Sequence, residues 1–146
     1  MKANFAVECL KWADRTPANV AICSVERGAF SYQWLSEQAK RFGNVLLRLG
    51  LKRGDRYLCF MPSIPETAVV FLGGQLIGAI PVMVFLGYRE KELEHVFRSA
   101  EAKLLITTSE NRDKVRNVTA EVGPREMLTI DEVVGDVPSY HGLMAE

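Results

Sequence analysis

From Ala68 to Gly87 the chain carries no charged residue, and its breaks are Gln75, Pro81 and the glycines at 73, 74, 78 and 87. A stretch of about twenty apolar residues is long enough to span a bilayer. The same letters also read as a buried helix, a glycine turn and a buried strand. Ser63 and Glu66, spaced Ser-x-x-Glu, form a capping box, and Pro65 suits the first helical turn. Gly78 is placed to end that helix. Ile80 to Phe85 then reads as a β-rich strand, apolar on both faces as a central parallel strand is. Membrane helices tolerate some glycine and proline, but Gly73, Gly74, Gln75, Gly78 and Pro81 together disfavour a single span. The helix–turn–strand reading is preferred.

The flanking pattern extends this picture. Asn4 to Arg15 places Phe5, Cys9, Trp12 and Ala13 on one helical face. Val20 to Val25 and a short strand around Phe30, joined by Glu26-Arg27-Gly28, predict a hairpin. Ser31 caps a helix in which Leu35, Ala39, Phe42, Leu46 and Leu49 recur at steps of four and three. Gly50 sits where a left-handed C-terminal cap is wanted. Tyr57 to Met61 is a strand stopped by Pro62. Arg89 to Arg98 is a charged helix with Leu93, Val96 and Phe97 inward, and Leu104 to Thr107 is a strand. Ser109 caps a helix carrying Val115, Val118 and Val122. Met127 to Ile130 is a last strand, with a helical turn from Asp131 to Val134. Strands alternating with helices predict an α/β fold: three layers, a mainly parallel sheet with helices on both faces, and an N-terminal β-hairpin. Residues 1–134 form the α/β unit, and 135–146 an irregular tail or truncation point.

The totals add few constraints. A chain of 146 residues is one domain by size. Apolar content of 48% and charged content of 25% are ordinary for a soluble globular protein. Eighteen basic residues balance eighteen acidic ones, so charge gives no case for nucleic acid or anionic membrane as the main partner. Cys9, Cys23 and Cys59 form no C-x-x-C pair, which fits a reduced, cytoplasmic compartment and no metal site. Glu8, Lys11 and Asp14 interrupt any early apolar run, against a secretory signal. His95 and His141 have no partner at metal spacing, and surface roles are expected for both.

Four segments in order carry a resemblance: NFAVECLKWADRTPANVAI, FSYQWLSEQAKRFGNVLLRLGLKRGDR, MPSIPETAVVFLGGQLIGAIPVMVF and EAKLLIT. The turn G-L-K-R-G-D before a strand, M-P-x-x-P-E, and G-A-I-P are specific in combination. Over roughly residues 4–134 the chain resembles the N-terminal portion of an AMP-forming acyl-CoA synthetase, and VMVFLGYREKELEHVF is similar to acetyl-CoA and related short-chain synthetases. The resemblance implies an adenylate-forming fold. It also implies a whole enzyme that uses ATP, Mg and CoA to convert a carboxylic acid to its acyl-CoA. The family's Ser/Thr/Gly-rich phosphate loop, its Tyr-Gly-x-Thr-Glu segment and its C-terminal lysine have no counterpart in these residues. Adenylation needs triphosphate donors, a neutralising cation and an oriented carboxylate. No catalytic residue is therefore expected here, and none of ATP, Mg and CoA is expected to bind this chain alone.

The resemblance leaves four candidate residues for CoA. Gly87 matches a glycine that lets the CoA nucleotide approach the backbone, although Leu86 stands where the family has a second glycine. The plain alternative is a turn glycine. Arg112, Lys114 and Arg116 fall near the basic residues that meet the CoA 3′-phosphate. The alternative is a solvated helix face. Gly73, Gly74 and Gly78 lack the G-x-G-x-x-G pattern and fit close helix packing better. Trp12, Trp34 and Phe42 fit packing better than base stacking. The expected partner is the remainder of the synthetase or a separate catalytic polypeptide, with a homo-oligomer as an alternative. A rival of another class is a free-standing α/β interaction module that kept the fold without the chemistry.

Overall fold

The computed structural model describes residues 4–124 and 126–131, and they fall into two compact units, one of residues 4–53 with 63–79, the other of 54–62 with the described residues from 80 to 131. Asp131 apart, the helical turn expected at 131–134 and the tail expected at 135–146 lie outside the described residues.

The first unit is helical with a hairpin. Helix α1 (Phe5–Arg15) starts at Asn4, whose Oδ1 accepts from the amides of Ala6 and Val7 at 3.0 and 3.3 Å. Its inward residues are Ala6 and Leu10, not the expected face of Phe5, Cys9, Trp12 and Ala13. Phe5 is 60% exposed and Trp12 47%. The two faces differ by one residue, about 100° of helix. The small Ala6 permits close approach, while the rings stay at the margin. Phe5 packs edge-on against Phe71 at 6.2 Å, and Trp12 tilts on Tyr32 at 6.5 Å.

Strands β1 (Val20–Ser24) and β2 (Gly28–Ser31) pair antiparallel, with Gly28 at φ +80° in the turn. Helix α2 (Tyr32–Arg48) is capped as expected by Ser31, whose Oγ accepts from the Trp34 amide at 3.2 Å. Leu35, Ala39, Phe42, Val45 and Leu46 are buried, and Gly50 ends the helix at φ +81°.

Helix α3 (Pro65–Leu76) departs from its expected cap. The N-cap is Ile64, not Ser63, and its amide donates to Thr67 Oγ1 at 3.4 Å. Glu66 is drawn away because Arg27, from the hairpin turn, donates Nη1 to both of its oxygens at 2.6 and 2.8 Å. A contact of both carboxylate oxygens with a full positive charge, at a group only 5% exposed, outweighs one bond from a neutral backbone amide. The glycines of α3 serve helix packing. A Cβ on Gly73 would lie 2.7 Å from the Ala39 carbonyl oxygen, and one on Gly43 3.1 Å from the Gly73 carbonyl oxygen.

The second unit is built on a parallel sheet. Its elements are β3 (Arg56–Phe60), β4 (Ile80–Met83), α4 (Glu90–Ala100), β5 (Leu104–Thr107), α5 (Ser109–Val122) and β6 (Glu126–Thr129). The four strands are ordered β4-β3-β5-β6, every pair parallel. Leu58, Phe60, Val84, Leu93, Phe97, Leu105, Val115 and Val118 form one core.

Strand β4 corrects an expectation. It is an edge strand, and Ile80 and Met83 are 48% and 47% exposed; the central strands are β3 and β5. An apolar run records that a strand tolerates burial, while strand order decides whether neighbours supply it. Pro81 is consistent with the edge. Ile80 N donates to Asp55 O at 2.8 Å and Val84 N to Cys59 O at 3.0 Å, so alternation turns the proline's missing donor outward.

Ser109 also differs from its expected role. Thr108 is the N-cap, and Ser109 donates its amide and hydroxyl to the Asp131 carboxylate at 2.8 and 2.7 Å. Among the described residues no helix is long and apolar enough to cross a membrane. The uncharged run is α3, a turn at Gly78 (φ +79°) and β4.

Candidate functional site

In a parallel sheet, the loops that follow the strands all leave from one end, which is where open α/β sheets bind ligands. Gly87 lies in the turn after β4. Arg112, Lys114 and Arg116 lie on α5, which follows β5. Strand β3 runs between β4 and β5, so the two segments leave the sheet about 10 Å apart. Phe60, the last residue of β3, ends between them and is fully buried. The Thr107 hydroxyl donates to the Phe60 carbonyl at 2.8 Å, tying the ends of β5 and β3 together.

The turn is closed by the Tyr88 amide, which donates to Phe85 O at 3.1 Å. The Phe85 and Tyr88 rings meet edge to face at 5.6 Å, and Phe85 is 68% exposed. Gly87 is not among the described glycines with positive φ. A Cβ there would sit 2.3 Å from Cε1 of the exposed Phe85 ring, so a larger residue would displace that ring rather than the backbone. The Phe85 ring lies directly over the Gly87 backbone.

The three basic residues do not act as one patch. On α5, Val115 and Val118 face the core. Residues 112 and 116 are one turn apart on the same side, while residue 114 is about 160° from either of them. Lys114 reaches the turn after β4: its Nζ donates to Leu86 O and sits 5.3 Å from the Phe60 ring centroid. Arg112 lies nearer the surface's inner margin, with Nε 3.8 Å from Asp113 Oδ1. Arg116 is exposed. Lys114 and Gly87 are thus brought to one place, with Arg112 and Arg116 on the far flank of the helix.

Sequence reasoning missed Phe60 and the Lys114 contact. That contact runs to a backbone carbonyl 28 residues away, and no side-chain pattern encodes such a bond. It also missed the Arg27–Glu66 pair, for the same reason of distance along the chain. One thiol is strongly perturbed: burial inside β3 pushes Cys59 well above the usual thiol range, making it inert rather than nucleophilic. Among the described residues no group of three or more His, Cys, Asp and Glu side chains is arranged to hold a metal. His95 is exposed, and His141 lies outside the described residues.

Comparison with known proteins gives this geometry a family. An acetyl-coenzyme A synthetase of Alcanivorax borkumensis is 46% identical over 133 residues, covering 80% of this chain and 21% of the relative. One from a Marinomonas species is 37% identical over 131 residues, covering 82% and 20%. The chain thus spans about a fifth of the length of the curated relatives it matches, in their N-terminal portion. Among solved structures, a Brucella canis acyl-CoA synthetase superposes with a TM-score of 0.83 at 28% identity, over 98% of this chain and 27% of that one. A benzoate CoA ligase from Burkholderia xenovorans gives 0.87 at 21% identity, over 99% and 28%, and shows the fold alone. The family model described as AMP-binding enzyme matches residues 9–141, and the chain belongs to that family.

Proposed function

We propose that this chain is the N-terminal part of an AMP-forming acyl-CoA synthetase, where it scaffolds the acyl and CoA pockets rather than reacting. The carrying observation is the family match over residues 9–141 combined with a strand-end turn that holds Gly87 beside a lysine. The CoA nucleotide approaches the backbone at Gly87 by displacing the exposed Phe85 ring that covers it, and Phe85 and Tyr88 then offer ring faces and edges to a base. Arg112 and Arg116, one turn apart, supply guanidinium forks for a phosphate.

ATP and Mg belong to the whole enzyme. The 146 residues contain no phosphate loop to cradle a triphosphate, so no step through ATP is assigned to them. When bound, CoA supplies the thiol that accepts the acyl group. This chain's residues orient its nucleotide end and hold no proton-transfer role. The partner is the remainder of the synthetase or a separate catalytic polypeptide, with self-association as an alternative occupant. The exposed Ile80 and Met83 of β4 and Phe85 of the turn after it give that partner an apolar surface. A reducing, cytoplasmic setting suits the free thiols of Cys9, Cys23 and Cys59.

Calorimetric titration tests the reading. Against the expectation from sequence, this reading has CoA binding the 146-residue protein, and the double change Arg112→Ala with Arg116→Ala weakening it by about tenfold. CoA lacking its 3′-phosphate should be indifferent to that change. No heat at millimolar CoA overturns the CoA site. Acid-dependent exchange of diphosphate into ATP by the chain alone overturns the scaffold role.

A further inference from the structure

Lys114 stands apart from the other basic residues in what its charge already touches. The ammonium has three donors, one of which is engaged by Leu86 O, and it lies over the face of the buried Phe60 ring. Both anchors beneath it are fixed. Phe60 is fully buried at the end of β3, and α5 is pinned by Val115 and Val118. The turn it grips has few fixed contacts of its own. Phe85 is 68% exposed and Tyr88 37%, Gly87 has no side chain, and one backbone bond of 3.1 Å closes it. Leu86 contributes a partly buried side chain to the core. A turn so lightly held samples open forms unless something outside it restrains it.

We propose that Lys114 is a positioning residue: held over Phe60, its ammonium latches the 85–88 turn through the Leu86 carbonyl and fixes the shape in which Gly87 is presented. Its importance for CoA rests on the reading given above; the latch itself does not. The consequence is a division of labour. Lys114 shapes the turn, and phosphate contact falls to Arg112 and Arg116 on the other flank of α5. A cation between a ring face and a carbonyl oxygen satisfies both at once. An apolar side chain of equal length fills the space and restrains nothing. A guanidinium can occupy the same position, because it too donates and stacks.

The test compares Lys114→Met and Lys114→Arg with the parent protein by amide hydrogen exchange and by CoA titration. Lys114→Met is expected to speed exchange of the Tyr88 amide by about tenfold or more, with the amides of β3 and β5 unchanged. Lys114→Arg is expected to return that rate to the parent value. CoA affinity should fall in Lys114→Met and recover in Lys114→Arg. The proposal is overturned by unchanged Tyr88 exchange in Lys114→Met, by acceleration spread evenly over the sheet, or by failure of arginine to rescue. If the turn loosens while CoA affinity stays at the parent value, the latch stands and its importance for CoA is overturned. A parent protein that takes up no CoA removes the CoA site instead, and the exchange rates then decide the latch alone.

Discussion

The two compact units of this chain solve burial in different ways. In the first, α2 and α3 meet at glycines, with Gly73 under the Ala39 carbonyl and Gly43 against the Gly73 carbonyl. Backbones approach closely, and the hairpin is tied to α3 by the charged pair Arg27–Glu66. In the second, side chains rather than backbones fill the core, and β3 and β5 are buried along their length. That unit leaves Ile80, Met83, Phe85 and Tyr88 at its surface and carries every candidate site residue. The helical unit has an opening of its own, lined by Asn4, Phe5, Arg53, Gln75, Ile77 and Gly78, but no candidate site residue borders it. A parallel sheet gathers its loops at one end and leaves them adjustable.

The comparison breaks most sharply at the cores. Gly73→Val forces a methyl-bearing carbon into a backbone oxygen and is expected to cost about 3 kcal/mol. Its counterpart in the sheet unit, Phe97→Ala, leaves a cavity and is expected to cost about 4 kcal/mol. Calorimetric unfolding of both variants reads these losses. A single shared transition that moves in both would show the units to be one cooperative block, and two transitions moving separately would show them to be independent. Glu66→Gln is a smaller change. It keeps the shape and removes the charge, leaving Arg27, which is 49% exposed and can turn to water. A loss of about 1–2 kcal/mol is expected from denaturant titration; no loss would mean that the pair only decorates the hairpin.

The smallest effect concerns Cys59 and alkaline pH. Its thiol is raised by burial in the folded protein, so the unfolded chain ionises first. Stability from this group is therefore complete below the unfolded thiol value and is lost as pH rises above it. About 1 kcal/mol is expected to go by about pH 9, starting from an unfolded value near 8.5. Cys59→Ala should lower stability at neutral pH yet flatten that alkaline slope. A slope unchanged in the variant would assign it to other groups.

Much of the fold was legible because its signals are local. Ser31 and Gly50 bracket α2 with a side-chain cap and a positive φ, both properties of single residues. The turn at Gly28 and the stop at Gly78 are of the same kind. The misreadings all involve choices between neighbours. The inward face of α1 turned by one residue because Ala6 packs more closely than Phe5. Ser63 and Glu66 offered a plausible cap, but an arginine 39 residues away competed for the carboxylate. The candidate site was legible only as a set of residues, since helical spacing alone separates Lys114 from Arg112 and Arg116.

By itself the sequence determined the order of helices and strands, the parallel α/β class, the glycine hinge points and the family likeness. These depend on periodicity and on dihedral preferences carried by each residue. Tertiary structure alone decided that β4 is an edge, that Glu66 belongs to Arg27, and that Lys114 holds the turn beside Gly87. Each of these is a contact between residues distant along the chain, won by competition among partners that no local pattern ranks.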